Sequence, residues 1–313
     1  MSNLTANQHH VWQYYLKAWA NKKDQVWCLQ KGKPAPFISH TRNVGSERFF
    51  YEFQELSEPD EQYLEYIINQ SKNESLRKLN RGWVDSLQTP FTLRRMLANF
   101  PLSDENKAQV ERLLDETGKT LGEQYHGTME EQGKPMLDSL RAGDSSFYRN
   151  DDQQQMTFIQ FISYQYFRTA KIRNGYRAIS LKLPHDRDRT WPIEAFIYAT
   201  NLGTSPYAQR HEYEIVMIDN RSDKPFINGD QPVINLLGLS DQEVELFYPL
   251  TPRRAMILSA SKERYPSSQK DAGLIEVEGY NFQMYQKSDT QLYGSDKDYL
   301  ATFEGLPKGD LSG

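Results

Sequence analysis

The chain has one cysteine, Cys28, in 313 residues, so no disulfide can form within it. That fits a reducing compartment. Cys28 lies in the apolar run Val26-Trp-Cys-Leu29, where a buried structural thiol is expected. Long apolar stretches are also missing, and nothing approaches the roughly 20 residues that span a bilayer. The opening MSNLTANQHH has neither the basic nor the apolar segment of a secretory leader. A soluble, cytoplasmic protein with no membrane partner is expected. Positive charge is not in excess: the net charge is -5 and the pI near 5.8. This excludes a global basic field for nucleic acid and leaves room only for a local patch. Compact catalytic signatures are absent as well, with no GxxxxGK[ST], GxSxG, HExxH, CxxC or GxGxxG. Any chemistry must therefore be assembled from distant segments.

What the chain has is aromatic side chains. Apolar residues make up only 38% and mean hydropathy is -0.77, yet there are 19 Tyr, 15 Phe and 5 Trp. Disordered chains are poor in such residues, so a folded core beneath a polar surface is expected. The length suits one large domain or two small ones.

Local patterning predicts a first helix from Thr5 or Asn7 to about Ala20, then a hairpin of Gln25–Gln30 and Pro36–Ser39. Helices follow at Pro59–Asn80, Pro90–Phe100 and from Ser103 to about Gln132, the last weakly broken at Gly118, Gly122 and Gly127. Asp151–Arg173 is apolar almost all round, which predicts a central buried helix. Trp191–Asn201 is a further helix. Beyond residue 210 strands are expected at Glu212–Ile218, Pro225–Asn228, Val244–Tyr248, Ala255–Ser259 and Leu274–Val277, with a closing helix at Asn281–Leu292. The fold class is α+β: a mostly helical body with a short N-terminal β-hairpin and a small antiparallel C-terminal sheet. No linker marks a boundary, so 1–313 reads as one unit. Its parts are a helix and hairpin (1–55), a helical body (56–205) and a strand-rich part (206–313). The hairpin and the C-terminal strands are candidates to share one sheet.

Several polar residues are candidates for chemistry. His9 and His10 are adjacent, and neighbouring helical residues point about 100° apart, so they rarely ligate one metal together. Arg168 and Arg173 close the buried helix. A guanidinium keeps its charge, so each needs a carboxylate partner or a bound anion. Asp230 sits in Phe226-Ile-Asn-Gly-Asp-Gln-Pro-Val233, a stiff turn presenting one carboxylate. It is either an Asx-turn or a metal ligand or general base. His185, in Pro184-His-Asp-Arg-Asp-Arg189, looks like part of a solvated turn.

Read together, His9–Trp19, Val26–Trp27, Asn43–Tyr51, Phe158–Arg173, Ile227–Val233 and Tyr248–Pro252 resemble the bacterial family named domain of unknown function 4238. Aligning on Tyr15-Leu16 places the family's histidine at His9, with Trp12 where proline is common. Phe-Arg168-Thr-Ala-Lys-Ile-Arg173 is similar to its Arg-Thr-Pro…Arg signature, with Ala170 for proline. The turn around Asp230 looks like its Ser-Asp-Asn-Pro motif. The resemblance further implies a helical acid at Glu65, and gives Asn43, Tyr51, Pro249 and Pro252 turn or packing roles. It supplies no reaction.

Two functions are expected on this basis. The first is a phosphodiesterase or nuclease-like hydrolase acting on RNA or DNA, in bacterial phage defence by association. Asp230 with Glu65 would hold Mg²⁺ or Mn²⁺, His9 would be the general acid or base, and Arg168 or Arg173 would stabilise phosphate charge. The alternative is a non-enzymatic regulatory protein that binds a ligand or a partner protein through its aromatic N-terminal segment. The same polar residues would then lock the fold through buried hydrogen bonds.

Overall fold

The computed structural model describes residues 6–98, 100–178, 184–238 and 243–306. Its N-terminal part runs β1 (Asn7–His9), α1 (Gln13–Leu16), β2 (Gln25–Gln30), β3 (Phe37–His40) and β4 (Ser46–Arg48). The helical body follows as α2 (Glu58–Asn69), α3 (Glu74–Leu97), α4 (Asp104–Ala142), α5 (Phe147–Asn150), α6 (Asp152–Phe167), α7 (Ala170–Ala178) and α8 (Arg187–Ala208). The C-terminal part comprises β5 (Glu214–Asn220), β6 (Asn228–Gly229), β7 (Ile234–Asn235), β8 (Leu246–Thr251), β9 (Arg254–Ser259), β10 (Gln269–Ala272), α9 (Leu274–Lys287), β11 (Gln291–Gly294) and α10 (Lys297–Ala301). This is the expected α+β class with a helical body.

Helix boundaries follow capping chemistry. Ser57 and Asp60 form a capping box at the start of α2, with Pro59 inside the first turn. Asn73 then accepts a hydrogen bond from Leu76 N–H at 3.1 Å and starts a new helix, so the single helix expected over Pro59–Asn80 is two. Pro90, expected to open a helix, lies inside α3 instead. α4 begins at the Ser103 cap and ends at Gly143, whose φ of +93° suits only glycine well.

The helix α4 runs unbroken through its glycines, and two of them, Gly122 and Gly133, are sites of close approach. A Cβ at Gly133 would lie 2.3 Å from the Phe161 ring, and one at Gly122 would lie 2.6 Å from Tyr51 Cβ. Gly133→Ala is therefore expected to destabilise the fold by about 1–3 kcal/mol through overpacking between α4 and α6. A lower midpoint in urea denaturation with an unchanged slope is the readout. An unchanged midpoint would show that Phe161 can move aside.

The N-terminal expectation needs correction. Asn7–His9 is a strand paired antiparallel with Ser46–Arg48, and only Gln13–Leu16 and the 3₁₀ turn Lys17–Trp19 are helical. Leu274–Val277 begins helix α9 instead of forming a strand, and the end of the expected closing helix is strand β11.

Three sheets result among the described residues. One is the β1–β4 pair. A second has the order β10-β5-β9-β8-β7, antiparallel except where β10 runs parallel to β5. The third, β3-β2-β11-β6, joins the N-terminal hairpin to C-terminal strands, as the shared-sheet expectation held.

The five-stranded sheet is buried on both faces, and strand periodicity decides which residue faces which core. Ile215, Met217, Met256 and Leu258 enter one core with Phe158 and Ile162 of α6 and Leu137 and Leu140 of α4. Their neighbours Val216, Ile218, Ala255 and Ile257 enter another with Val277 and Met284 of α9 and Leu292 of β11. A third core lies among α2, α3, α6 and α8. No helix of the described residues is long and apolar enough to cross a membrane.

Candidate functional site

Arg168 sits where α6 ends, and the residue is only 3% exposed. Each of its nitrogens has a partner. Nε donates to the Tyr51 hydroxyl at 2.8 Å, Nη1 to Glu130, and Nη2 to the His9 carbonyl oxygen. Tyr51 in turn donates to the same His9 oxygen at 3.0 Å. Burial alone would lower the pKa of Arg168. The surrounding Tyr51, Glu130 and Glu123 raise it above the ordinary value, so the cation is held.

Around this fixed charge, α4 presents Glu123, His126 and Glu130. The spacing of three and then four residues puts all three on one helix face. Burial pushes the Glu123 carboxyl up to about 7; Glu130 adds to this, while Arg168 and the His9 backbone oppose it. Burial also raises Glu130, against the pull of Arg168. The imidazoles move the other way. Burial, then the Arg168 charge, lowers His9 and takes His126 well below its ordinary value. The same causes, with Arg173 and His9, bring His10 down to about 3.

Five buried polar atoms here have no hydrogen-bond partner among the described residues: His9 Nε2, His10 Nδ1, Glu123 Oε2, His126 Nδ1 and Arg173 Nε. Buried polar atoms are normally paired, so a concentration of unpaired ones marks a place equipped for a polar occupant. The centre has a more open side. The Arg173 guanidinium packs over Phe50 at 4.2 Å and pairs with Glu47 at 2.8 Å, and the Glu47 side chain is 42% exposed.

Asp230 belongs to a different structure. Its carboxylate accepts from the N–H groups of Asp289, Thr290 and Gln291 at 2.7, 2.7 and 2.8 Å, and from the Thr290 hydroxyl at 3.0 Å. Burial raises its pKa against the pull of these donors. It therefore fastens the loop before β11 and is not an Asx-turn on its own backbone. Gly229 is needed beside it, because a Cβ there would lie 1.8 Å from Ser288 Oγ. Gln231 faces the helical body: it accepts from Thr169 Oγ1 and donates to the carbonyls of Tyr166 at 3.0 Å and Val233 at 2.8 Å. The segments of His9, Arg168 and Asp230 are thus linked in one run of bonds, through Arg168-Thr169 and Gln231-Asp230. The Asp230 carboxylate itself stays on the loop side.

Glu65 stands apart. Its side chain is 46% exposed, and both oxygens are engaged by Arg81 and Asn69. The hydrogen bonds from Arg81 lower its pKa. The metal pair expected of Asp230 and Glu65 is therefore not formed, since the two share no partner and Asp230 has its oxygens filled by the protein. Among the described residues no three His, Cys, Asp or Glu are grouped to hold a metal ion.

His185 also needs correction. It is 6% exposed, stacks on Tyr63 at 3.5 Å and meets the Tyr176 hydroxyl at 3.1 Å. Tyr176 donates to the buried Glu194 at 2.9 Å, which Tyr198 also reaches at 3.1 Å. This is a buried cluster and not a solvated turn.

Sequence reading finds His9, Arg168 and Arg173 but misses Glu123, His126 and Glu130. The signal was present as Glu-x-x-His-x-x-x-Glu in α4. The glycines around it, and the polar helix in which it lies, hid its buried face.

The fold is thus a helical body clasped by sheets, with the segments of His9, Tyr51 and Arg168 meeting at one buried ionic centre. The chain belongs to the family described as protein of unknown function (DUF4238), whose model matches residues 7–195, more than half of the chain. The match takes in every member of the ionic centre and ends before Asp230 and Tyr248–Pro252. No curated protein and no solved structure matches this chain.

Proposed function

We propose that the centre around Arg168 is the acid–base site of a phosphodiesterase or nuclease-like hydrolase, with Glu123 and His9 as the proton-transferring pair. The observation that carries this reading is Glu123. It is a carboxyl group brought to about 7, with one buried oxygen unpartnered, beside a permanent cation and the His9 backbone. A general acid or base works best when its pKa lies near the operating pH. His9 keeps a bare nitrogen, and Arg173 offers a cation on the more open side to meet a phosphate. Asp230 takes no part in this arrangement.

The test is a cleavage screen with end-labelled RNA, single-stranded DNA and duplex DNA, with and without Mg²⁺ or Mn²⁺. Cleavage by the wild type is expected to fall roughly 10²–10⁴-fold in both His9→Ala and Glu123→Gln, as removal of a proton-transfer group does. A wild type that cleaves none of these would defeat the proposal.

A titration of stability tests the state of Glu123 independently. Its folded pKa lies above the unfolded value, so its contribution is complete below about pH 4.5 and is lost as pH rises through about 7. The wild type is therefore expected to lose up to about 3 kcal/mol relative to Glu123→Gln across that window. Parallel pH curves for the two proteins would show that Glu123 is ionised throughout.

A second reading has its own support. Arg168 and Asp230 spend their hydrogen bonds on the protein, as groups that lock a fold do. On that reading the chain is a binding or regulatory protein, and the variants lose stability without any activity to lose.

A further inference from the structure

A cavity of about 340 Å³ opens between α3, α4, α6 and α8. That volume is at the small end of the range for small-molecule sites, and the space between packed helices is a usual place for one. Its walls include the rings of Trp83, Phe161 and Tyr164 and the thioethers of Met129 and Met156. Aromatic faces and polarizable sulfur both favour a flat apolar guest. None of the side chains lining it is charged.

The polar groups on the floor are already used. The Trp83 indole N–H donates to Thr200 Oγ1 at 3.0 Å, and the Tyr164 hydroxyl lies 3.2 Å from the same oxygen. Thr204 Oγ1 donates to the Thr200 carbonyl at 2.8 Å. Gln132 and Gln160 are different: both are exposed, and neither side-chain amide makes a hydrogen bond to another described residue. Their amides supply a donor and an acceptor at the cavity wall. A charged guest would lose its hydration in this cavity with no counter-ion to meet it.

We propose that this cavity binds a neutral, flat aromatic or heteroaromatic molecule, with its ring against Trp83 and Phe161 and a polar edge toward Gln132 and Gln160. The inference is independent of the reaction proposed for the ionic centre.

Calorimetric titration of the full chain with indole tests it, with indole-3-acetate as the charged counterpart. Indole is expected to bind one site saturably with a dissociation constant on the order of 0.1–1 mM, given its few atoms. Indole-3-acetate is expected to bind at least tenfold more weakly. Met156→Trp and Thr204→Leu, on two different helices, each add bulk to the wall and are expected to weaken indole at least tenfold. Circular dichroism would check that each variant is folded. Absence of saturable indole binding, equal binding of the charged analogue, or undiminished binding by a folded variant would each overturn the proposal.

Discussion

Asp230→Ala is expected to lower the stability of the protein by about 3–5 kcal/mol, because it leaves several buried donors without an acceptor at once. Three backbone N–H groups, from Asp289 to Gln291, and the Thr290 hydroxyl converge on this one carboxylate. The loop they belong to leads into β11, which pairs with both β2 and β6. Losing the carboxylate therefore loosens the sheet that ties the two ends of the chain together. Asp230→Asn keeps one oxygen as an acceptor but turns the other position into a donor facing N–H groups, so roughly half the loss is expected to remain. Urea denaturation measures both variants. If Asp230→Ala were as stable as the wild type but lacked an activity the wild type has, the residue would be a site group after all.

The second large effect is expected at Arg168. Arg168→Met removes a cation that faces Glu130, the Tyr51 hydroxyl and the His9 carbonyl. A buried carboxylate left without its partner costs on the order of 3–5 kcal/mol, or is protonated instead. Arg168→Lys is expected to recover only part of this, since one ammonium cannot reproduce three differently directed donors on a planar fork. The carboxyls also report on the charge. Arg168 holds the pKa of both Glu123 and Glu130 down against burial, so its removal is expected to move both further up. Carboxyl titration followed by NMR in Arg168→Lys and Arg168→Met would show this. Unmoved carboxyl titrations in the methionine variant would contradict the ionic centre described above.

Two of these groups were visible in the sequence for the same reason. An arginine in an otherwise apolar helix, and an aspartate between glycine and proline at a strand end, are both costly placements that need a specific partner. The partners themselves were not visible. Glu130 is 38 residues from Arg168, and the loop that donates to Asp230 lies 59 to 61 residues further along the chain. His9 was visible as well, but its reach to Arg168 runs through its carbonyl oxygen and not through its ring.

The sequence by itself determined the class of fold, most of the helices and strands, and the family. Those follow from short-range rules: the 3.6-residue and two-residue periods of apolar side chains, and the caps at Ser103 and Asp151. It also determined that Arg168 would need a counter-charge. Only the tertiary structure decided which carboxylates answer it, and that Asp230 is a fastening while Glu65 remains at the surface. It alone turned Glu123, on a helix that reads as polar, into a buried acid. Burial and charge pairing are sums over neighbours brought together by packing, and chain order fixes no such distances.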